Sequence, residues 1–118
     1  TRFCQVTGVQ TCALPIFFCP AAWRIQDVDM WDLNLSQRAL ENLLFVVGVN
    51  RFGHEGDLEL FGKSKICNPR GKVLKELPMD KEDIDVVEID LMELERFRTD
   101  IPYLRDRKPH IYGELLKA

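Results

Sequence analysis

Apolar and polar residues fall into blocks along this chain, and the period changes from block to block. Residues 16–20 (IFFCP) form a short apolar run ended by proline, which predicts a buried strand stopping at Pro20. Ala21, Ala22 and Trp23 then read as a loop. Asp27 or Asp29 is placed to cap a helix whose first turn is acidic. Within it Trp31, Leu35, Arg38, Ala39 and Asn42 share one face at helical spacing, and the helix is expected to end near Leu43. Residues 43–50 (LLFVVGVN) are apolar at every position but the last, the pattern of a strand covered on both faces. Residues 51–59, with Gly53 and Gly56, read as a polar loop. Residues 61–77 predict a hairpin, in which Asn68-Pro69-Arg70-Gly71 suits a type I turn. Residues 84–89 alternate well enough for a further strand, and 91–98 for a short helix. Residues 101–118 carry Pro102 and Pro109 and read as an extended tail with room for a last turn of helix.

Composition narrows the classes. The 118 residues suffice for one domain or part of one, and 46% hydrophobic with 30% charged residues can build a core. The net charge of −3, with no basic run, argues against a nucleic-acid or anionic-membrane binder. No apolar run is long enough to span a bilayer, and the N-terminus lacks the charged and apolar regions of a secretory signal. The four cysteines, Cys4, Cys12, Cys19 and Cys67, form no CxxC pair, and His54 and His110 lie far apart, so no metal site is expected. Such sparse cysteine points to reduced thiols in a cytoplasm.

The order of elements is generic for an α/β protein, but the residues on it are not. PAAW (20–23), QRALENLLFVVGVNRFG (37–53), FGKSKICNPRGKVL (61–74), EIDL (88–91) and YLRDRKPHIYGEL (103–115) follow one another in that order. Together they resemble the C-terminal half of the nitrilase superfamily of carbon–nitrogen hydrolases. The resemblance runs almost continuously over residues 17–118, with one departure at Lys108, where the family usually has arginine. It implies an α/β fold: the C-terminal half of a four-layer α-β-β-α sandwich, incomplete in this chain. Residues 17–90 would be the C-terminal part of the hydrolase domain, and 91–118 its C-terminal helix and extended tail.

The resemblance also implies a chemistry. These enzymes attack an amide, carbamoyl or nitrile carbon with a cysteine thiolate, using a glutamate as base and a lysine to stabilise the oxyanion, with no metal or organic cofactor. Base and lysine come from the N-terminal half, and the nucleophile precedes the Pro-x-x-Trp segment. Cys19 therefore aligns with the strand after the nucleophile and reads as a core residue. Cys67 reads as a packing residue in the hairpin. No catalytic residue is expected in this chain. The loop after the first strand lines the family's substrate pocket, which makes Ala21, Ala22 and Trp23 the pocket candidates; Trp23 reads equally as a core aromatic. Arg38, Glu41 and Asn42 could support the pocket, although an i,i+3 ion pair between Arg38 and Glu41 is the favoured reading. His54, Glu55 and Asp57 fit a surface loop better than a metal site. Arg105, Asp106, Arg107 and Tyr112 lie in a tail that in the family often crosses to a partner subunit; a solvated charged tail is the alternative.

Residues 1–16 stand apart. Over residues 6–16 (VTGVQTCALPI), 11 consecutive residues match an in-frame translation of a common sequencing adapter, and the family resemblance starts where the match stops. Against an ordinary divergent N-terminus, this reading makes 1–16 a non-native segment with few contacts to the rest. The function expected is therefore that of a fragment of a cytoplasmic hydrolase of small amides, carbamoyl compounds or nitriles. The complete enzyme would be a homodimer with no nucleic-acid or membrane partner. The alternative is a small non-catalytic α/β binding or oligomerisation module.

Overall fold

The computed structural model describes residues 14–113. Strand β1 (Ile16–Ala21) leads through a 3-10 turn (Ile25–Asp27) into helix α1 (Val28–Asn42) and then strand β2 (Phe45–Asn50). A ribbon of β3 (Phe52–Glu55) and β4 (Leu58–Phe61) follows, then β5 (Lys65–Cys67), β6 (Val73–Glu76) and helix α2 (Leu91–Asp100). Four of the strands form one sheet in the order β1-β2-β5-β6. β1 and β2 run parallel with Phe17 opposite Val46 and Cys19 opposite Gly48, as a strand-helix-strand unit requires. β5 joins β2 antiparallel.

Period explains the packing. Trp31, Leu35 and Ala39 recur every four residues on α1, and all three are buried against Val46 and Cys67 of the sheet. Gly48 lets the helix come this close: a Cβ there would lie 2.4 Å from Leu35 Cδ1 and 2.8 Å from the Trp31 ring. Arg38 is exposed instead and pairs with Glu41. α1 ends where Leu43 adopts φ 47°, a left-handed cap, and Arg98 of α2 donates to the Leu43 carbonyl (3.1 Å). Asp27 occupies the N-cap position without a side-chain capping bond and pairs with Arg24 at 3.2 Å.

Four sequence expectations change. β1 continues through Pro20 to Ala21, because among the described residues β1 is a sheet edge, where a missing N–H removes no ladder bond. The expected loop at 51–59 is largely the β3–β4 ribbon, turning at Gly56 and Asp57, with Gly56 at φ 59°. Residues 84–89 form no strand among the described residues. Alternation alone does not make a strand without a partner edge. Finally, Pro15 O accepts from Phe45 N (2.9 Å) and Leu14 O from Arg98 (2.9 Å), so the end of segment 1–16 is bonded to the fold. Residues 1–13, including Cys4 and Cys12, lie outside the described residues, as do 114–118.

The hairpin turn forms as expected: Gly71 N–H reaches Asn68 O (2.8 Å) with Gly71 at φ 73°, and Asn68 Oδ1 accepts from Arg70 and Lys72 N–H. α2 begins at its Asp90 cap, which accepts from Met92 N–H (2.8 Å).

Candidate functional site at the carboxyl ends of β1 and β2

In sheets with parallel strands, ligands gather beyond the carboxyl ends, where loops diverge. Here that end carries Ala21 and Asn50, which face each other across the β1–β2 pair. Three loops meet there: residues 21–24, residues 50–52, and residues 62–64 between β4 and β5. Arg51 N–H donates to Ala21 O (2.9 Å), and Gly62 N–H donates to Arg51 O (3.0 Å).

Asn50 is the centre of this junction. It is 6% exposed, and its Oδ1 accepts from Trp23 N–H at 2.7 Å, while its Nδ2 reaches Trp23 O at 3.5 Å. Its own main chain is gripped by Ser64: Asn50 N–H donates to Ser64 Oγ (3.0 Å), and Ser64 Oγ–H donates back to Asn50 O (3.2 Å). The Trp23 ring leans on Trp31 at 5.7 Å between centroids, and Trp31 Nε1–H donates to Lys63 O (3.0 Å).

The pocket candidates therefore stand together. Ala22 is exposed on the rim, while Ala21 and Trp23 are half-buried and packed on the core. Trp23 is thus a core aromatic as well as a rim residue. Arg38, Glu41 and Asn42 are elsewhere. They lie in the last turns of α1, which leads into the amino end of β2, so a strand length of roughly 20 Å separates them from the rim. Arg38 and Glu41 pair at 2.5 Å, and Asn42 Nδ2 donates to Arg38 O (3.0 Å), the structural role favoured from sequence.

Behind the rim lies a buried charge network that periodicity did not reveal. Lys65 Nζ, on a side chain 2% exposed, bonds the Asp32 carboxylate and reaches Glu76 Oε2 at 2.6 Å. Lys63 Nζ takes the other Asp32 oxygen at 2.5 Å. Burial opposes charge on both Asp32 and Lys65, but hydrogen bonds and opposite charges outweigh it. The Asp32 carboxyl is held below, and the Lys65 ammonium above, their ordinary ranges.

The thiols fit packing. Cys67 is fully buried, and burial pushes its thiol up in spite of a 3.8 Å contact with Ser36 Oγ. Cys19 opposes Gly48 on the helix-covered face and packs against the core. His54 and Glu55 sit on β3, with Glu55 paired to Arg51. Among the described residues, no group of three His, Cys, Asp or Glu is arranged to hold a metal ion. No described helix is long and apolar enough to cross a membrane.

On the sheet face away from α1, residues 81–87 arch over Val47, Val49 and Ile66 and leave a cleft of about 670 Å³. Lys75 of β6 holds the arch through Asp85 at 2.9 Å. This cleft touches Asn50 and Arg51 but none of Ala21, Ala22 and Trp23.

Comparison with known proteins finds relatives in both sequence and fold. Residues 25–99 match the family model described as carbon–nitrogen hydrolase. A probable nitrilase of Schizosaccharomyces pombe is 38% identical over 95 residues, covering 80% of this chain and 35% of that protein. A 2-oxoglutaramate amidase of Bacillus subtilis is 37% identical over 97 residues, covering 82% of this chain and 37% of that protein. The crystal structure of a carbon–nitrogen hydrolase from Helicobacter pylori superposes with a TM-score of 0.79 at 25% identity, covering 95% of this chain and 43% of that one. The chain thus spans little more than a third of the length of these two relatives.

Proposed function

Because this chain belongs to the carbon–nitrogen hydrolase family of the nitrilase superfamily, we propose that it supplies one wall of a hydrolase acting on small non-peptide C–N bonds, amide, carbamoyl or nitrile. The observation that carries the proposal is the junction of Ala21, Ala22 and Trp23 with Asn50 at the carboxyl ends of β1 and β2. It is an apolar rim on a rigid support, suited to holding a small substrate beside a nucleophile. The names of two relatives, a nitrilase and an amidase, support the bond class.

The Cys-Glu-Lys triad is proposed to come from outside this chain. Cys67 is buried with its thiol pushed up, the opposite of an activated thiolate, and Cys19 packs under a helix. The complete enzyme is proposed to be a cytoplasmic homodimer, needing no metal or organic cofactor and no nucleic-acid or membrane partner.

Ammonia release from small amides, carbamoyl amino acids and nitriles tests this reading. The purified chain alone is expected to be silent. Mixed with an N-terminal half that carries the triad, it is expected to turn over, and Trp23→Ala is expected to shift the preference among substrates. Turnover by the chain alone that vanishes in Cys19→Ala overturns the proposal.

A further inference from the structure

We propose that Asn50 is a positioning residue: its side-chain amide sets the course of the rim residues 21–23, and Ser64 in turn sets Asn50. The inference rests on the reading of those residues as the pocket wall, and goes beyond it by naming what holds the wall in place.

Ala21 and Ala22 carry no polar side-chain atom, so the rim has little of its own to fix its course. Its main chain must be held from outside. Ala21 O is taken by the Arg51 N–H, part of the strand pairing. Beyond that point the β1–β2 ladder ends and Arg24 bridges Leu60 of β4; between the two, the main chain of Trp23 is met by a side chain. Asn50 offers an acceptor to Trp23 N–H at 2.7 Å and, at the limit of reach, a donor to Trp23 O at 3.5 Å. A side-chain amide presents both groups from one planar unit, and the Trp23 N–H fixes which side of it is oxygen. A serine is too short for this, and a carboxylate keeps the acceptor and loses the donor.

Asn50 can direct the rim only if it is itself fixed. It is 6% exposed, and both polar groups of its main chain are engaged by one hydroxyl, Ser64 Oγ, at 3.0 and 3.2 Å. Ser64 sits between Lys63 and Lys65, whose ammonium groups both grip Asp32 of α1. The path from helix to rim is thus Asp32, the two lysines, Ser64, Asn50 and Trp23. The Trp23 ring closes the loop by returning to α1 at Trp31.

Hydrogen exchange read by fragment-resolved mass spectrometry on the full 118-residue chain tests the proposal. In Asn50→Ala the Trp23 amide is expected to exchange about tenfold faster or more, with the central β2 amides unchanged, as loss of one local bond predicts. Asn50→Asp keeps the acceptor and is expected to stay within about threefold of the native rate at Trp23. Ser64→Ala is expected to speed Trp23 locally as well. Native-like exchange at Trp23 in Asn50→Ala overturns the proposal. So does loss of protection that spreads along β2 in both Asn50→Ala and Ser64→Ala, since Asn50 would then be a general stabiliser. If only Asn50→Ala spreads, the local response of Ser64→Ala decides: acceleration at Trp23 supports the tether and its absence sinks it. No substrate enters this measurement, so the tether and the pocket reading, tested through Trp23→Ala and ammonia release, fail separately.

Discussion

Lys65 of β5 and Asp32 of α1, 33 positions apart in sequence, form an ion pair that fastens the helix to the sheet beside the rim. The lysine side chain is 2% exposed and the aspartate 38%. Removing a buried partner strands charge, so Lys65→Met, which leaves Asp32 and Glu76 facing each other, is expected to cost about 1–3 kcal/mol. Lys63 and partial exposure of both carboxylates keep it below the cost of a fully buried break. Asp32→Asn in the same background should cost less than it does alone. Urea denaturation of the four variants measures this. Strict additivity would show that the pair is not coupled.

The same network sets the pH response. The folded carboxyl of Asp32 is depressed, so the unfolded chain binds its proton more readily. Stability from this group is complete above the ordinary aspartate value of about 4 and is lost as pH falls through the lower folded value. Lys65 is raised, so its contribution is complete below about 10.4 and is lost as pH rises through the higher folded value. A stability plateau between those limits is expected. Lys65→Met should remove the alkaline decline due to this group, which a series of urea midpoints against pH would register.

Gly48 is the contact point of helix and sheet. A methyl there would meet Leu35 at 2.4 Å and the Trp31 ring at 2.8 Å, and both are packed core atoms. Gly48→Ala is expected to destabilise by about 1–3 kcal/mol through overpacking. Trp31 fluorescence should change with it, because the indole must move. An unchanged urea midpoint in Gly48→Ala would mean that α1 can lift away freely.

What the sequence disclosed is what repeats locally. The four-residue recurrence of Trp31, Leu35 and Ala39 and the turn at Asn68 and Gly71 both follow from spacing or residue type within a short window. The β3–β4 ribbon was hidden because Gly53, His54, Glu55 and Glu59 break any alternation between Phe52 and Phe61, although Gly56-Asp57 is a two-residue hairpin signal. Residues 84–89 misled for the reverse reason: the alternation is present, but the segment pairs with no strand among the described residues. The tether from Asn50 to Trp23 spans 27 positions, and no periodic rule reaches so far. One local sign existed: Asn50 is the only polar residue closing the apolar run 43–50, a place where a side chain has a task other than packing.

The sheet face away from α1 leads to the last prediction. Phe18 opposes Val47 and Pro20 opposes Val49 on that face, with Val47 opposite Ile66 on the other side. Residues 81–87 arch over Val47, Val49 and Ile66 but leave Phe18 64% and Val49 50% exposed. Among the described residues β1 is an edge without a single charged residue in Ile16–Ala21, and Pro20 alone is there to discourage strand addition. Burying one such side chain is worth roughly 1.5–3 kcal/mol, enough for two or three of them to drive association. In the complete hydrolase proposed above, a second sheet would take this place. The isolated chain is therefore expected to associate as its concentration rises. Phe18→Lys with Val49→Thr should shift it toward monomer in light scattering at unchanged circular dichroism, and a complementing N-terminal half should do the same without any substitution. A native chain that stays monomeric up to the highest concentration reached would mean that this face needs no cover, and would favour a small self-sufficient module over part of a larger sandwich.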